Sequence, residues 1–508
     1  MHPIDRLSSL LGQASAKARS NRRPVLVSVI ERVAAVDPLA ALAAAARDAR
    51  HDRNAAVAEL CTPRMYWTRP ADRFALAGLG AAVTLAPEGA DRFATIDREW
   101  STLMSDAMIH DDSAGVAGAG PALMGGFAFD PEGPRTDPWR EFPAAHLFVP
   151  RLQLVLTQGD CWLTTTLVVG IDGQPDTEPD VLARLRASFL GGDTSGSESR
   201  AAQFVDETLA HTDVRDAREW RATVREAVAA VRSGRLEKVV LAREVLASAR
   251  RDFDVENALR QLQAQHPTCY VFGCWHGDSV FVGATPERLV RADGRDIQAS
   301  SLAGSVSRGA SPEEDAYNAA QLLESAKDRA EHEIVRRALC TGLERLCDYV
   351  MADDCPALLT LPNVHHLHTA VHARLRAGHT LLQVVAQLHP TPAVGGDPRN
   401  AALRFIREHE KMDRGWYAAP IGWLQGDRGE FAVALRSALV TGSEARLFAG
   451  CGVVADSDPY QEYAESLLKL RPMEAALAAS VVPEDSDVID TADSAEDTAP
   501  AACGGASS

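Results

Sequence analysis

Two carboxylates and an ammonium stand at i, i+3 and i+7 near the C-terminal end of the chain. Glu462, Glu465 and Lys469 in SDPYQEYAESLLKL would share one face of a helix. Asp458 can cap that helix, with Pro459 at its first position and Gln461 three residues after the cap. A second acidic pair, Asp328 and Glu331, has i, i+3 spacing in SAKDRAEHEIV. If the two faces oppose each other, four carboxyl groups converge, and such a site needs a hard divalent cation. Magnesium suits it, because Mg2+ takes one or two carboxylates and leaves its other positions to water and an anionic substrate. The plain alternative is two wet helix faces, neutralised separately by Arg329, Lys327 and Lys469.

Lys238 opens the apolar run KVVLARE. On strand alternation it shares a face with Val240 and Ala242 and so points inward; otherwise it lies on a wet edge, paired with Glu237 or Glu244. Burying an ammonium lowers its pKa, which is how a lysine becomes a base near neutral pH. Glu287, in GATPERL, falls at a strand end. With a raised pKa it is a proton donor, and otherwise an ion-pair partner of Arg288. The histidines of VHHLHTAVH invite a zinc reading, but on a strand His365 points away from His366 and His368, and no Cys or acid spacing completes a zinc site.

The chain that must position these groups has 508 residues, 46% hydrophobic and 24% charged, enough for a sizeable core. Its formal charge of -18 argues against nucleic acid or a membrane surface as main partner, so an anionic substrate would have to be held by a local cation cluster or a metal. No apolar run reaches the roughly 18 residues of a bilayer span, no signal peptide is visible, and the nine cysteines are scattered without a CxxC. A cytoplasmic protein with reduced thiols is expected. Residues 1–22 read as a polar lead-in and 481–508 as a disordered acidic tail. VLVSVIERV reads as a strand, Asp37-Pro38 as a helix start, and RMYWTRPADRFALAGLG as two strands about a turn at 69–72, ending at Gly78 and Gly80. Asp97 to Met108 reads as a helix. GVAGAGP is a loop, since its glycines do not follow GxGxxG and a strand comes next. LFVPRLQLVLTQGDCWLTTTLVVG predicts a hairpin turning near Gly159-Asp160. Residues 191–200 have linker composition, and Arg218 to Arg232 predicts a helix. The stretch from Cys269 to Gly309 predicts three or four antiparallel strands. Ser311 with Pro312 and Glu314 predicts a capped helical region that bends at Ser325 to Lys327 and ends near Tyr349.

In order along the chain, KVVLAR, GATPERL, SLAGSVSRG, SAKDRAEHEIV, HHLHT, HPTPAVGG, RGWYAAPIGW, FAVALRS, FAGCGVV and SDPYQEYAESLLK closely resemble the chorismate-utilising enzymes. That family includes isochorismate, anthranilate, aminodeoxychorismate and salicylate synthases. The resemblance is strong over 205–475 and fainter through YWTRP, GLG and MGGFAF. It implies an α+β fold, two large antiparallel sheets in a sandwich with helices outside, forming a single domain over 23–480. Residues 191–200 then become a surface loop and not a domain boundary. It also implies that Glu331 and Glu465 bind Mg2+ directly, with Asp328 and Glu462 in support. Arg436, Tyr417, Lys469 and the backbone at Gly450 match positions that grip the carboxylates of chorismate. His366 matches a histidine near the substrate, and Ser305 stands after Gly304 where relatives carry Thr.

Which member it is turns on the nucleophile. Ammonia-using relatives have Gln where this chain has Lys238, and the water-using branch has Lys; water at neutral pH gains from a base, whereas ammonia delivered by a partner does not need one. Aminodeoxychorismate synthases resemble PIKGT at the LAGS motif, and their lysine would fall at Ala303. Salicylate synthases tend to carry Thr where this chain has Ala393. The resemblance therefore implies isochorismate formation without a glutaminase subunit, in menaquinone or siderophore biosynthesis. Lys238 would be the base for water and Glu287 the acid for the departing hydroxyl. A salicylate synthase is the runner-up, followed by an anthranilate synthase component and a non-catalytic chorismate-binding relative.

Overall fold

The hairpin at residues 158–159 shows how locally this chain specifies its turns. Strands Ala145–Thr157 and Asp160–Val169 pair antiparallel across Gln158 and Gly159, at φ 51° and 95°. Two left-handed residues give a turn whose twist matches the strands it joins. The computed structural model describes residues 3–51, 60–191, 208–361 and 364–482. Within them 21 strands join edge to edge in one network, antiparallel except where Val25–Val33 runs parallel to Met108–Asp111. The α+β class and antiparallel sheet are as expected, and the two sheets foreseen are linked through shared strands.

Two apolar cores account for the long apolar runs. Along Tyr270–His276 and Ser279–Thr285, Phe272 and Phe281 enter one core while Val271, Val280 and Val282 enter the other. A strand covered on both faces reads as continuously apolar and not as alternating. Each large side chain fully withdrawn from water contributes about 2 kcal/mol.

Several expectations need correction. The polar lead-in is a helix, Pro3–Asn21, packed on Val25–Val33 with Ala14 and Ala18 fully buried. Small residues one turn apart let it dock closely, which composition concealed. Phe74–Leu85 runs on through Gly78 and Gly80, and the helix expected at Asp97 to Met108 is Arg92–Asp106. The helical region after Ser311 is two helices, Pro312–Glu324 and Ala326–Glu344, with Ser325 closing the first and capping the second. Tyr349 lies beyond them, in Cys347–Ala352. Ser311 accepts from the Glu314 N–H as foreseen, but the Glu314 carboxylate takes the Ala310 N–H, so the capping is not reciprocal. GVAGAGP is irregular and leads into Leu123–Phe127. Nearly all of the linker-like 191–200 and the tail from 483 lie outside the described residues. No helix among those described is long and apolar enough to cross a membrane.

Three pairings frame the site. Lys238–Ser248 lies against Glu444–Val453, with Val240 opposite Gly452 and Ala242 opposite Gly450. Asp296–Ser307 lies against Val364–Leu375, with Ser305 opposite His366. Arg288–Asp293 lies against Arg428–Val433. Helix Ala326–Glu344 packs on the second pair, and helix Pro459–Ala478 on Glu444–Val453.

Candidate active site

The residues that the resemblance assigns to catalysis, substrate and metal all line one cavity of about 100 Å³. A larger cleft of about 630 Å³, bordered by Arg69, Arg291, Trp423 and Arg428, contains none of them.

At one wall the first two turns of Ala326–Glu344 carry an acid each. Ser325 accepts from the Asp328 N–H at 3.2 Å and donates its hydroxyl to the Asp328 carboxylate, fixing that side chain at the helix start. One turn on, Glu331 Oε1 lies 2.8 Å from Lys238 Nζ. Lys238 is 1% exposed, and its other possible partners are engaged elsewhere: Glu237 with Arg337 at 2.7 Å and Glu244 with Arg446 at 2.6 Å. Alternation placed this lysine correctly.

Helix Pro459–Ala478 supplies the facing acids. Asp458 caps it by accepting from the Tyr460 and Gln461 N–H groups, both at 3.0 Å. Lys469 binds Glu465 at 2.7 Å and the Gly450 carbonyl at 2.9 Å, tying the helix to its strand. Glu462 is 4% exposed and lies 3.7 Å from Lys327. The plain alternative thus holds only for the Glu465–Lys469 pair, since Lys327 reaches across to Glu462 on the other helix, and the faces do converge.

The electrostatics of this wall suit a cation. Burial, then the charge of Glu465, pushes the Glu462 carboxyl up to about 7. Burial, then Glu331, overrides the Ser325 hydrogen bond and raises Asp328 as well. Crowded acids that resist ionisation are relieved by a bound cation. Cys451, which sequence reasoning passed over, brings its sulfur within 4.8 Å of ligand oxygens of Glu462 and Glu465. Its thiol donates to the Glu462 carbonyl at 3.0 Å, and burial raises its pKa well above normal, so it stays protonated. The remaining donors are hard oxygens, which fit Mg2+ better than a thiophilic ion.

Pro286 stands between the ends of Ser279–Thr285 and Arg288–Asp293, and Glu287 beside it lines the same cavity. Arg288 is no partner for it, being bound to Glu430 at 3.0 Å and the Tyr270 hydroxyl at 2.8 Å. Burial drives the Glu287 carboxyl up to about 7, against the opposing charges of Lys238, Arg436 and Lys469. Arg436 has φ 49°, a conformation a non-glycine side chain keeps only where its surroundings impose it, and it makes no ion pair among the described residues. Burial lowers the pKa of its guanidinium. Tyr417, 3% exposed, stacks on Phe448 with ring centroids 5.4 Å apart.

The LAGS motif works as a bulge. Gly304, at φ 75°, shifts the register between Ala303 and Ser305, and the Ser305 hydroxyl then meets His366 Nδ1 at 2.9 Å. His366 Nδ1 also faces the Gly304 carbonyl at 3.3 Å, which assigns the ring proton to Nδ1. Burial, with Arg436 and Lys469, holds the ring's pKa down to about 3, so the ring is neutral. Its Nε2 is buried without a partner among the described residues and is free to accept from a substrate hydroxyl. His365 turns the other way, to Asp315 at 2.9 Å and Thr360 at 3.0 Å, so the histidines form no metal cluster.

Gly452 is a second residue that sequence reasoning missed. A Cβ built there would lie 2.6 Å from Glu331 Oε1 and 2.7 Å from Lys238 Cε. Gly452→Ala must therefore displace the lysine, and turnover is expected to fall about 10²-fold with the fold retained. Steady-state rates beside a thermal melt check it; an unchanged rate would show that the lysine's position does not matter.

The family model described as "Chorismate binding enzyme" matches residues 13–478. The chain belongs to this chorismate-binding enzyme family. Among its members, the "Salicylate biosynthesis isochorismate synthase" of Pseudomonas aeruginosa is 40% identical over 470 residues, 92% of this chain and 93% of that one. The isochorismate synthase MenF of Bacillus subtilis is 34% identical over 466 residues, 91% of this chain and 95% of the other. The solved structure of the menaquinone-specific isochorismate synthase MenF from Escherichia coli superposes with TM-score 0.71 at 24% identity, covering 92% of this chain and 99% of that chain. Anthranilate synthase component I from Streptococcus pneumoniae superposes with TM-score 0.64 at 20% identity, over 79% of this chain and 92% of its own. At these identities the two structures establish the family's fold in this chain and nothing finer.

Proposed function

We propose that the chain is a Mg2+-dependent isochorismate synthase that adds water at C2 of chorismate as the C4 hydroxyl departs. The observation that carries this reading is an inward-facing lysine and a buried carboxylic acid of raised pKa in one cavity, Lys238 and Glu287. Relatives with that printed activity span over nine-tenths of the chain.

The chain's own residues account for the steps. Arg436, Lys469 and the Tyr417 hydroxyl hold the substrate carboxylates, and the bare Nε2 of His366 accepts from a hydroxyl. Lys238 takes a proton from the attacking water, and Glu331 at 2.8 Å stabilises the ammonium so formed. Glu287, protonated, gives its proton to the C4 oxygen, which leaves as water. One water enters and one leaves; returning a proton from Lys238 to Glu287 through solvent resets the site. Glu331 and Glu465, supported by Asp328 and Glu462, would hold Mg2+, whose charge offsets that of the ring carboxylate. A lysine base serves water and leaves no need for an ammonia-delivering partner. Salicylate synthases tend to carry Thr at the position of Ala393, which lines the cavity, and that resemblance favours isochorismate over salicylate as the product.

Incubation with chorismate and chromatography of the products tests the reading. Isochorismate is expected with Mg2+, and after EDTA treatment turnover should fall to background and return on adding Mg2+. Salicylate with pyruvate would make the chain a salicylate synthase. Full turnover in EDTA would remove the metal from the reading.

A further inference from the structure

A buried ion pair that none of these steps uses adjoins the wall bearing Lys238. Glu410 and Arg414 are 2% and 4% exposed and meet in a two-pronged pair, Nε to Oε1 at 2.7 Å and Nη2 to Oε2 at 2.6 Å. The guanidinium lies 4.2 Å from the centre of the Phe129 ring, so little water reaches it.

What the pair holds is backbone. The short strand Gly396–Asp397 covers Lys238–Ser248 only at Lys238 and Val239, and Ala210–Asp213 takes up the same ladder again at Val245. Beyond them the Val240 N–H still donates to the Gly395 carbonyl at 2.9 Å, but the Val240 carbonyl accepts from Arg414 Nη2 at 2.8 Å and the Ala242 N–H donates to Glu410 Oε2 at 2.7 Å. Two side chains thus take the place of a missing strand. Arg414 Nη1 also donates to the Val394 carbonyl at 2.8 Å, and the Arg414 carbonyl accepts from the Tyr417 N–H at 2.8 Å. Val240, Val394 and Tyr417 all line the cavity, each on a different segment.

We propose that Glu410 and Arg414 are positioning residues for the reaction, setting the distance between the lysine's strand and the wall formed by Ala393, Val394 and Tyr417. The proposal rests on the isochorismate synthase reading. The Arg414 guanidinium ties the Val240 and Val394 segments to the one that carries Arg414 and Tyr417 themselves. A lysine cannot replace the arginine, because an ammonium has no planar fork with which to meet a carboxylate and two carbonyls at fixed angles.

Three folded variants test it at saturating Mg2+. Arg414→Lys is expected to lose about 10²-fold in kcat. The KM for chorismate should stay within about twofold, because Arg436 and Lys469 still hold the carboxylates. Glu410→Gln, which keeps an acceptor for the Ala242 N–H, should retain more of kcat. The double variant Glu410→Met with Arg414→Met leaves no unpaired charge, so it should fold and yet show the full kcat loss. A merely structural role would lower activity only by the unfolded fraction, read from a melt at the assay temperature. Wild-type kcat in folded Arg414→Lys or in the double variant would overturn the proposal. Should the wild-type chain form no isochorismate, the functional reading fails, and hydrogen exchange at the Ala242 amide decides the positioning: faster exchange in Arg414→Lys supports it and unchanged exchange overturns it.

Discussion

Replacing Lys238 by alanine should lower isochorismate formation by about 10²–10⁴-fold, the range of a well-placed general base. The lysine is 1% exposed and faces Glu331 at 2.8 Å, so its loss removes the base proposed for the attacking water and leaves an unpaired carboxylate. Such a charge would destabilise a closed apolar core severely. Here the Glu331 side chain retains 14% exposure and can draw on solvent or a cation, so a folded protein with a modestly lower melting temperature is expected. Added Mg2+ should raise that melting temperature without restoring turnover. Near-wild-type turnover in Lys238→Ala would mean that water is activated elsewhere.

Glu287→Gln should cost a similar factor, because an amide has no proton to give the C4 oxygen. Its pH behaviour separates an acid from a merely polar neighbour. The Glu287 carboxyl titrates near 7, so wild-type kcat/KM should fall as pH rises through about 7, and the variant's residual rate should lack that limb. Stability follows the same shift. Between the ordinary carboxyl value of 4.5 and about 7, the folded protein keeps a proton that the unfolded chain releases, so stability falls as pH rises through this window. The loss is on the order of 3 kcal/mol once pH exceeds the folded value. Gln has no such penalty, so Glu287→Gln should melt higher than wild type at about pH 8 and show no such gain at about pH 5. Equal melting differences at the two pH values would mean that Glu287 is not held as a neutral acid.

Much of the site was legible because its chemistry is local in sequence. The i, i+3 acids, the Asp458 cap and strand parity at Lys238 and His366 need only helix and strand periods, and the structure uses all of them. What stayed hidden depends on contacts between distant segments. Nothing near Lys238 reveals that Glu331, rather than Glu237 or Glu244, is its partner. Gly452 looks like any strand glycine until Lys238 and Glu331 are seen against it, and Cys451 acquires meaning only when helix Pro459–Ala478 is packed on its strand. The helix Pro3–Asn21 was missed for a related reason: alanine at 14 and 18 carries little hydrophobic signal yet permits close docking.

Running the reaction in oxygen-18 water asks most directly whether water crosses the cavity between the amine and the acid. Isochorismate isolated early should carry a single heavy oxygen at C2, and Lys238→Ala should form almost none of it. Isochorismate formed at the wild-type rate without the label would mean that the hydroxyl migrates within the substrate, and neither Lys238 as base nor Glu287 as acid would survive that result.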